Sequence, residues 1–181
     1  MKAISLVAAL LFFTAFPAQA EIIHFTGNFT HHNNTITLPF SLDNDTEVRL
    51  WTDLFLDGLN FDPLLILWAA DGSLIGWSDD EPYIEPATQT YGDAGYFELL
   101  AAGDYFISLS VSGNFAAGLN LSDGFFFDAD VPVSLAPTGE AWSLWLEGVD
   151  RAGNGIPEPA LLSLLCAGVL VGCALRRRRS R

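Results

Sequence analysis

Apolar side chains occupy every second position in two segments of this 181-residue chain. In the first segment they are Ile36, Leu38, Phe40 and Leu42, and in the second they are Tyr105, Ile107, Leu109 and Val111. A period of two places such side chains on one face of a β-strand. Further short candidates, separated by turn residues such as Asp71-Gly72, cover residues 22–29, 47–52, 64–68, 74–77, 96–100 and 142–148. Seven to nine strands of this kind predict an all-β domain, a jelly-roll-like antiparallel β-sandwich.

The N-terminus has the pattern of a secretory signal peptide. Lys2 precedes an apolar stretch over residues 4–16, and Pro17 and the triplet Ala18-Gln19-Ala20 follow it. A positive start, a short apolar stretch and small residues at the end are what signal peptidase recognises. A membrane anchor is the alternative, but the stretch is short for a bilayer. We therefore predict a signal peptide over residues 1–20, passage through the Sec translocon, and cleavage after Ala20.

The C-terminus combines a second apolar run with a basic tail. Residues 160–175 are apolar or small, and five of the last six residues are arginine. Sixteen helical residues reach about 24 Å, against a hydrocarbon core of about 30 Å. Arginines beside a span mark its cytoplasmic side, which leaves the rest of the chain outside. The run predicts one marginal transmembrane helix.

Pro157, Glu158 and Pro159 stand directly before that helix. The order of this triplet, an apolar helix and a basic tail resembles the PEP-CTERM sorting signal of Gram-negative bacteria. The resemblance implies recognition by an exosortase, which would cut near the triplet and release the protein from the inner membrane to the surface or matrix. A plain single-pass anchor is the alternative. The predicted organisation is a signal peptide over 1–20, a sandwich over 21–150, and a linker with the sorting signal over 151–181, where residues 151–156 are flexible and residues 176–181 are the basic tail.

The charge of the predicted sandwich is strongly negative. Of the 22 acidic and eight basic residues, 21 acidic ones but only Arg49 and Arg151 lie between residues 21 and 151, which leaves a formal charge of −19. Such a body repels phosphate backbones, so it excludes ordinary nucleic-acid binding. Both cysteines, Cys166 and Cys173, lie in the C-terminal apolar run, so the body has no disulfide. Its stability depends on packing, or on packing and a metal ion.

Three segments carry a second resemblance. They are residues 60–68 (NFDPLLILW), 71–80 (DGSLIGWSDD) and 99–107 (LLAAGDYFI). Their order is similar to the motif series of bacterial pre-peptidase C-terminal (PPC) domains, and residues 112–116 and 121–125 resemble a subgroup found in PEP-CTERM proteins. The resemblance implies a noncatalytic accessory or surface module, some relatives of which bind calcium or matrix polymers. Asp104 departs from the usual threonine before the tyrosine, so ligand specificity does not transfer.

Acidic residues cluster around the predicted hairpin at residues 64–81. Asp71, Asp79, Asp80 and Glu81 place four carboxylates there. Calcium takes six to eight oxygen ligands and would relieve the repulsion between such groups. Solvated acidic turns are the simpler interpretation. The four residues are the candidate metal ligands, and calcium is the candidate cofactor.

The sequence holds no motif of a known enzyme class: a Gly-x-Ser-x-Gly elbow, a His-Glu-x-x-His pair and a phosphate loop are all missing. We therefore expect a non-enzyme, an exported surface or matrix protein associated with exopolysaccharide or biofilm. One alternative is a carbohydrate-binding module that uses exposed tryptophans. The aromatic side chains that could stack on sugars are Trp68, Trp77, Trp142 and Trp145, together with Tyr83. A polysaccharide-active enzyme is a third.

Overall fold

The computed structural model describes residues 22–81 and 83–153. Nine β-strands account for most of the regular structure in this part of the chain. Their bounds are β1 Ile22–Asn28, β2 Ile36–Leu42, β3 Thr46–Trp51, β4 Pro63–Ala69, β5 Leu74–Ser78, β6 Gly95–Leu100, β7 Gly103–Val111, β8 Ala141–Glu147 and β9 Arg151–Ala152. Two short 3-10 helices, Leu56–Gly58 and Leu121–Asp123, complete the elements. Eight of the nine strands match the segments that the period-two pattern and turn residues predict.

The strands form two antiparallel sheets. The first has the order β1-β8-β3-β6, and the second has the order β5-β4-β7-β2-β9. The chain moves back and forth between the sheets, so many sheet neighbours are distant in sequence, as in a jelly roll. Such pairings bring together side chains that no local pattern relates.

One hydrophobic core lies between the facing sides of the two sheets. The first sheet contributes Val48, Leu50, Leu144 and Leu146, and the second contributes Leu65, Leu67, Ile107 and Leu109, all fully buried. Burying a side chain of this size stabilises a fold by about 1.5–3 kcal/mol. The shared core agrees with the all-β antiparallel sandwich that the sequence predicts.

Strand β4 is buried on both of its faces. Its residues Leu64, Ile66 and Trp68 point away from the central core and form a second cluster. The segment between residues 115 and 125 covers this cluster, and Phe125 meets Trp68 edge to face at 6.3 Å. A strand that is covered on both faces has apolar side chains at every position, which explains why apolar and polar residues do not alternate over residues 64–68.

The folded domain extends beyond the boundary at residue 150. Ala152 pairs with Phe40, and Arg151 pairs with Ser41, so β9 adds a fifth strand to the second sheet. The Arg151 guanidinium also donates to Asp43 at 2.7 Å, and its Nε donates to the Ser41 hydroxyl at 3.0 Å. Residues 151 and 152, assigned above to the flexible linker, are therefore strand residues. The linker prediction failed there because the partner strand lies about 110 residues earlier in the chain.

The predicted signal peptide, sorting triplet, transmembrane helix and basic tail lie outside the described residues. Within residues 22–81 and 83–153, no helix is long and apolar enough to span a membrane.

Candidate functional site

The hairpin of β4 and β5 carries most of the predicted metal ligands. At its turn, Gly72 has a φ of 83°, and Asp71 Oδ1 accepts hydrogen bonds from the backbone and hydroxyl of Ser73 at 2.9 and 2.6 Å. These bonds, led by the one from the Ser73 hydroxyl, lower the pKa of Asp71. Asp79 and Asp80 follow β5 at the other end of the hairpin. The structure thus separates Asp71 from the rest of the predicted ligand set.

Asp62, and not Asp71, lies beside Asp79 and Asp80. It stands immediately before β4, which is antiparallel to β5 with Leu65 opposite Ser78. One carboxylate oxygen each from Asp62, Asp79 and Asp80 lies within 4.8 Å of the other two. Residues equally far from a hairpin turn lie opposite each other. Counting outward from the turn at Asp71-Gly72 could therefore have predicted that Asp62, just before Pro63, lies near Asp79 and Asp80. We name these three residues the carboxylate cluster.

Two oxygens of the carboxylate cluster are buried without a hydrogen-bond partner among the described residues, Asp62 Oδ1 and Asp79 Oδ1. Asp79 Oδ2 accepts a hydrogen bond from the Ser112 hydroxyl at 3.1 Å. The Ser112 backbone N–H donates to the Asp62 carbonyl at 2.7 Å. A buried acceptor without a partner costs about 1–3 kcal/mol. The cluster therefore holds acceptors that a bound cation or water would satisfy.

Burial and nearby negative charges raise the pKa values of two members of the cluster, Asp62 and Asp79. For Asp62 the pKa rises from 3.8 to about 7, first because of burial and then because of the charges on Asp79, Asp80 and Asp93. For Asp79 burial also raises the pKa, while the Ser112 hydrogen bond opposes the rise. Both shifts mean that the folded protein disfavours the charged forms. A divalent cation would reverse that preference.

The geometry of the carboxylate cluster fits calcium. Calcium–oxygen distances of about 2.3–2.6 Å let one ion touch oxygens up to about 5 Å apart, and the three oxygens lie within 4.8 Å of each other. Three carboxylates supply part of the six to eight ligands, and waters would complete the shell.

Glu81, the fourth predicted ligand, is exposed and lies outside the carboxylate cluster. Its backbone N–H donates to the Asp93 carbonyl at 2.9 Å. Glu81 thus ties the loop after β5 to the residues before β6.

Asp93 shows how a structural carboxylate differs from those of the cluster. It is fully buried, and its oxygens accept hydrogen bonds from Thr52 Oγ1, the Phe55 N–H, and the N–H and hydroxyl of Thr90, at 2.7–3.1 Å. Four donors satisfy the carboxylate, so Asp93 has no acceptor to spare. The sequence analysis did not single out this residue, since two of its donor residues, Thr52 and Phe55, lie about 40 residues earlier, in the segment after β3.

The tryptophans divide sharply by exposure. Trp77 is 54% exposed, whereas Trp68 and Trp142 are buried at 0% and 7%. Trp145 is partly buried, stacked between His24 at 3.5 Å and Trp51 at 5.9 Å. Of the tryptophans named as candidates for carbohydrate contact, Trp77 alone presents a large surface to solvent.

The residues predicted for processing, Ala18, Ala20, Pro157, Glu158 and Pro159, lie outside the described part of the chain. They stay predictions from sequence.

No protein family model matches the chain, and no curated protein matches it. It is similar to the pre-peptidase C-terminal domain of a collagenase from Bacillus anthracis, with 6% identity, coverage of 68% of this chain and 87% of that one, and a TM-score of 0.41. It is also similar to PliG from Aeromonas hydrophila, a periplasmic inhibitor of g-type lysozyme, with 14% identity, coverage of 75% and 92%, and a TM-score of 0.42. Both TM-scores are below 0.5, so neither likeness bears on what this chain does.

Proposed function

We propose that this protein is a noncatalytic, exported surface or extracellular-matrix protein associated with exopolysaccharide or biofilm. It passes the Sec translocon, stays briefly in the inner membrane through residues 160–175, and is released by an exosortase that acts near Pro157-Glu158-Pro159. The support comes from the two ends of the sequence and from the enzyme motifs that the sequence lacks.

As part of the same proposal, the folded domain binds one calcium ion. The observation that carries it is the carboxylate cluster, with two buried oxygens that lack a hydrogen-bond partner among the described residues. Calcium would neutralise three repelling charges in a domain without disulfides. Asp62, Asp79 and Asp80 hold the ion, and its role is to fix the start of β4 to the end of β5.

Calorimetric titration of the purified chain with calcium tests this site. We expect one calcium per chain, and we expect the paired substitution Asp79→Asn with Asp80→Asn to abolish the heat of binding. Asp71→Asn is the matched control, because Asp71 lies at the other end of the same hairpin. Calcium binding that persists in the double variant would show that the ion is held elsewhere.

A further inference from the structure

Two large aromatic side chains stand exposed on the outer side of the second sheet. Trp77 is 54% exposed and Phe126 is 59% exposed. Trp77 pairs with Ile66, whose side chain belongs to the outer cluster under the segment 115–125. Contiguous exposed aromatic surface is costly in water and usually marks a binding site.

Phe115 joins the two exposed rings into one surface. Its ring centroid lies 5.0 Å from that of Trp77 and 6.4 Å from that of Phe126, with interplanar angles of 78° and 62°. The Trp77 and Phe126 rings are thus within about 11 Å of each other. We name Trp77, Phe115 and Phe126 the aromatic platform. Its exposed aromatic side chains offer apolar area against which a ligand ring can pack.

The backbone holds the platform in place before any ligand arrives. The Phe126 N–H donates to the Phe115 carbonyl at 2.9 Å, and the Ala117 N–H donates to the Gly124 carbonyl at 2.9 Å. Asn114 is fully buried beside them, and its Oδ1 accepts from the Phe127 N–H at 2.8 Å. A site that is already ordered loses little conformational entropy on binding. Such order suits a rigid ligand.

The negative charge of the domain disfavours anionic ligands. A formal charge of −19 between residues 21 and 151 repels polyanions. Exposed aromatic rings suit uncharged sugar rings, whose C–H groups pack against the aromatic faces.

We infer that the aromatic platform binds a neutral pyranose polysaccharide, with sugar rings packed against Trp77 and Phe126. The inference rests on the proposed association with exopolysaccharide and names its contact surface and the class of polymer. It requires no calcium in the carboxylate cluster.

Affinity electrophoresis and pull-down of the full chain test the inference, with hydroxyethylcellulose and dextran as neutral probes and alginate as the anionic one. We expect retention by at least one neutral polymer and at least tenfold weaker binding in Trp77→Ala. Phe126→Ala should weaken binding less, and Trp77→Phe should keep part of it. The matched control is Tyr83→Ala, because Tyr83 is also an exposed aromatic, at 76% exposure, but is not part of the platform.

Several outcomes overturn the inference. Unchanged binding by folded Trp77→Ala would place the polysaccharide contact elsewhere and leave the proposed association intact. A wild-type chain that is exported and released but binds neither neutral polymer would reject the platform while the sorting proposal stands. Preference for alginate would contradict the charge argument. A change of oligomeric state in Trp77→Ala, measured by sedimentation, would identify the platform as a contact between copies of the chain.

Discussion

The Ser112 hydroxyl donates a 3.1 Å hydrogen bond to Asp79 Oδ2 and thereby connects the end of β5 to the segment that follows β7. The Ser112 N–H meanwhile donates to the carbonyl of Asp62, which is the residue before β4. Ser112 thus orients two of the three residues of the carboxylate cluster. Phe115 of the aromatic platform follows three residues later in the same segment.

Calcium should stabilise the fold through the carboxylate cluster. A ligand that binds only the folded state at a hundredfold excess over its Kd adds about 2.7 kcal/mol. At roughly 3–5 °C per kcal/mol for a domain of this size, we expect the Tm to rise by roughly 8–14 °C. Thermal unfolding with calcium, and with magnesium at equal ionic strength, measures the effect and separates it from general screening. Equal shifts with both ions, or a calcium shift that persists in Asp62→Asn with Asp79→Asn, would contradict the site.

Without metal, the stability of the domain should fall as the pH rises from about 4 to about 7. The pKa of Asp62 is about 7 in the folded chain and 3.8 in its ordinary state, so the folded form binds the proton more tightly. The resulting stabilisation is complete below the ordinary pKa and is lost as the pH passes the folded value. Urea unfolding between pH 4 and 8 with a chelator measures this slope.

Two comparisons assign the pH effect to Asp62. Asp62→Asn should reduce the slope to the part that comes from the raised pKa of Asp79, while Asp71→Asn should leave the slope unchanged, because the lowered pKa of Asp71 acts at more acidic pH. Added calcium should oppose the loss at neutral pH, since it binds the ionised carboxylates. A stability profile that rises from pH 4 to 7 in the metal-free wild type would be evidence against the raised pKa.

Processing should remove both ends of the chain. We expect the protein recovered outside cells to begin at Glu21 and to end near Pro157-Glu158-Pro159. Intact-mass measurement checks both termini. Glu158→Ala should leave the protein in the inner-membrane fraction, and Glu140→Ala, a change to another acidic residue before the triplet, should be released normally. Extracellular protein that still carries the arginines of residues 176–181 would rule out sorting by cleavage.

The two residues of β9 should contribute to stability. A chain that ends after Asp150 loses the pairing of Ala152 with Phe40 and the contacts of Arg151 with Asp43 and Ser41. We expect it to be less stable by about 1–3 kcal/mol than a chain that ends after Gly153. The ion pair itself is exposed, so Asp43→Ala should cost at most about 1 kcal/mol. Equal urea midpoints for the two truncated chains would show that residues 151 and 152 do not stabilise the fold.

Asp93 should be the carboxylate whose removal destabilises the fold most in the segment between β5 and β6. Asp93→Ala leaves the donors of Thr52, Phe55 and Thr90 without their acceptor, so we expect a loss of about 2–5 kcal/mol. Asp104→Ala, at an exposed position on β7, should change stability by less than about 0.5 kcal/mol. Chemical denaturation of both variants gives the comparison. Similar small losses would show that the loop tolerates removal of its buried charge.

Local patterns in the sequence were enough to predict eight strands and the turn at Asp71-Gly72. Alternation along β2 and β7 depends on side-chain direction within one strand, and the turn depends on an acidic side chain and a glycine that accepts positive φ. The two terminal signals are likewise read over short stretches. Such features need no knowledge of distant residues.

Tertiary structure alone decided which of these residues meet. The pairing of β4 with β5 and β7 brings Asp62, Asp79 and Ser112 together, and it leaves Asp71 at the far end of the hairpin. Burial of Trp68 and exposure of Trp77 depend on where the segment 115–125 lies over the sheet. A side chain's charge state and exposure are set by its neighbours in space, and in a fold of interleaved strands those neighbours are far apart in sequence.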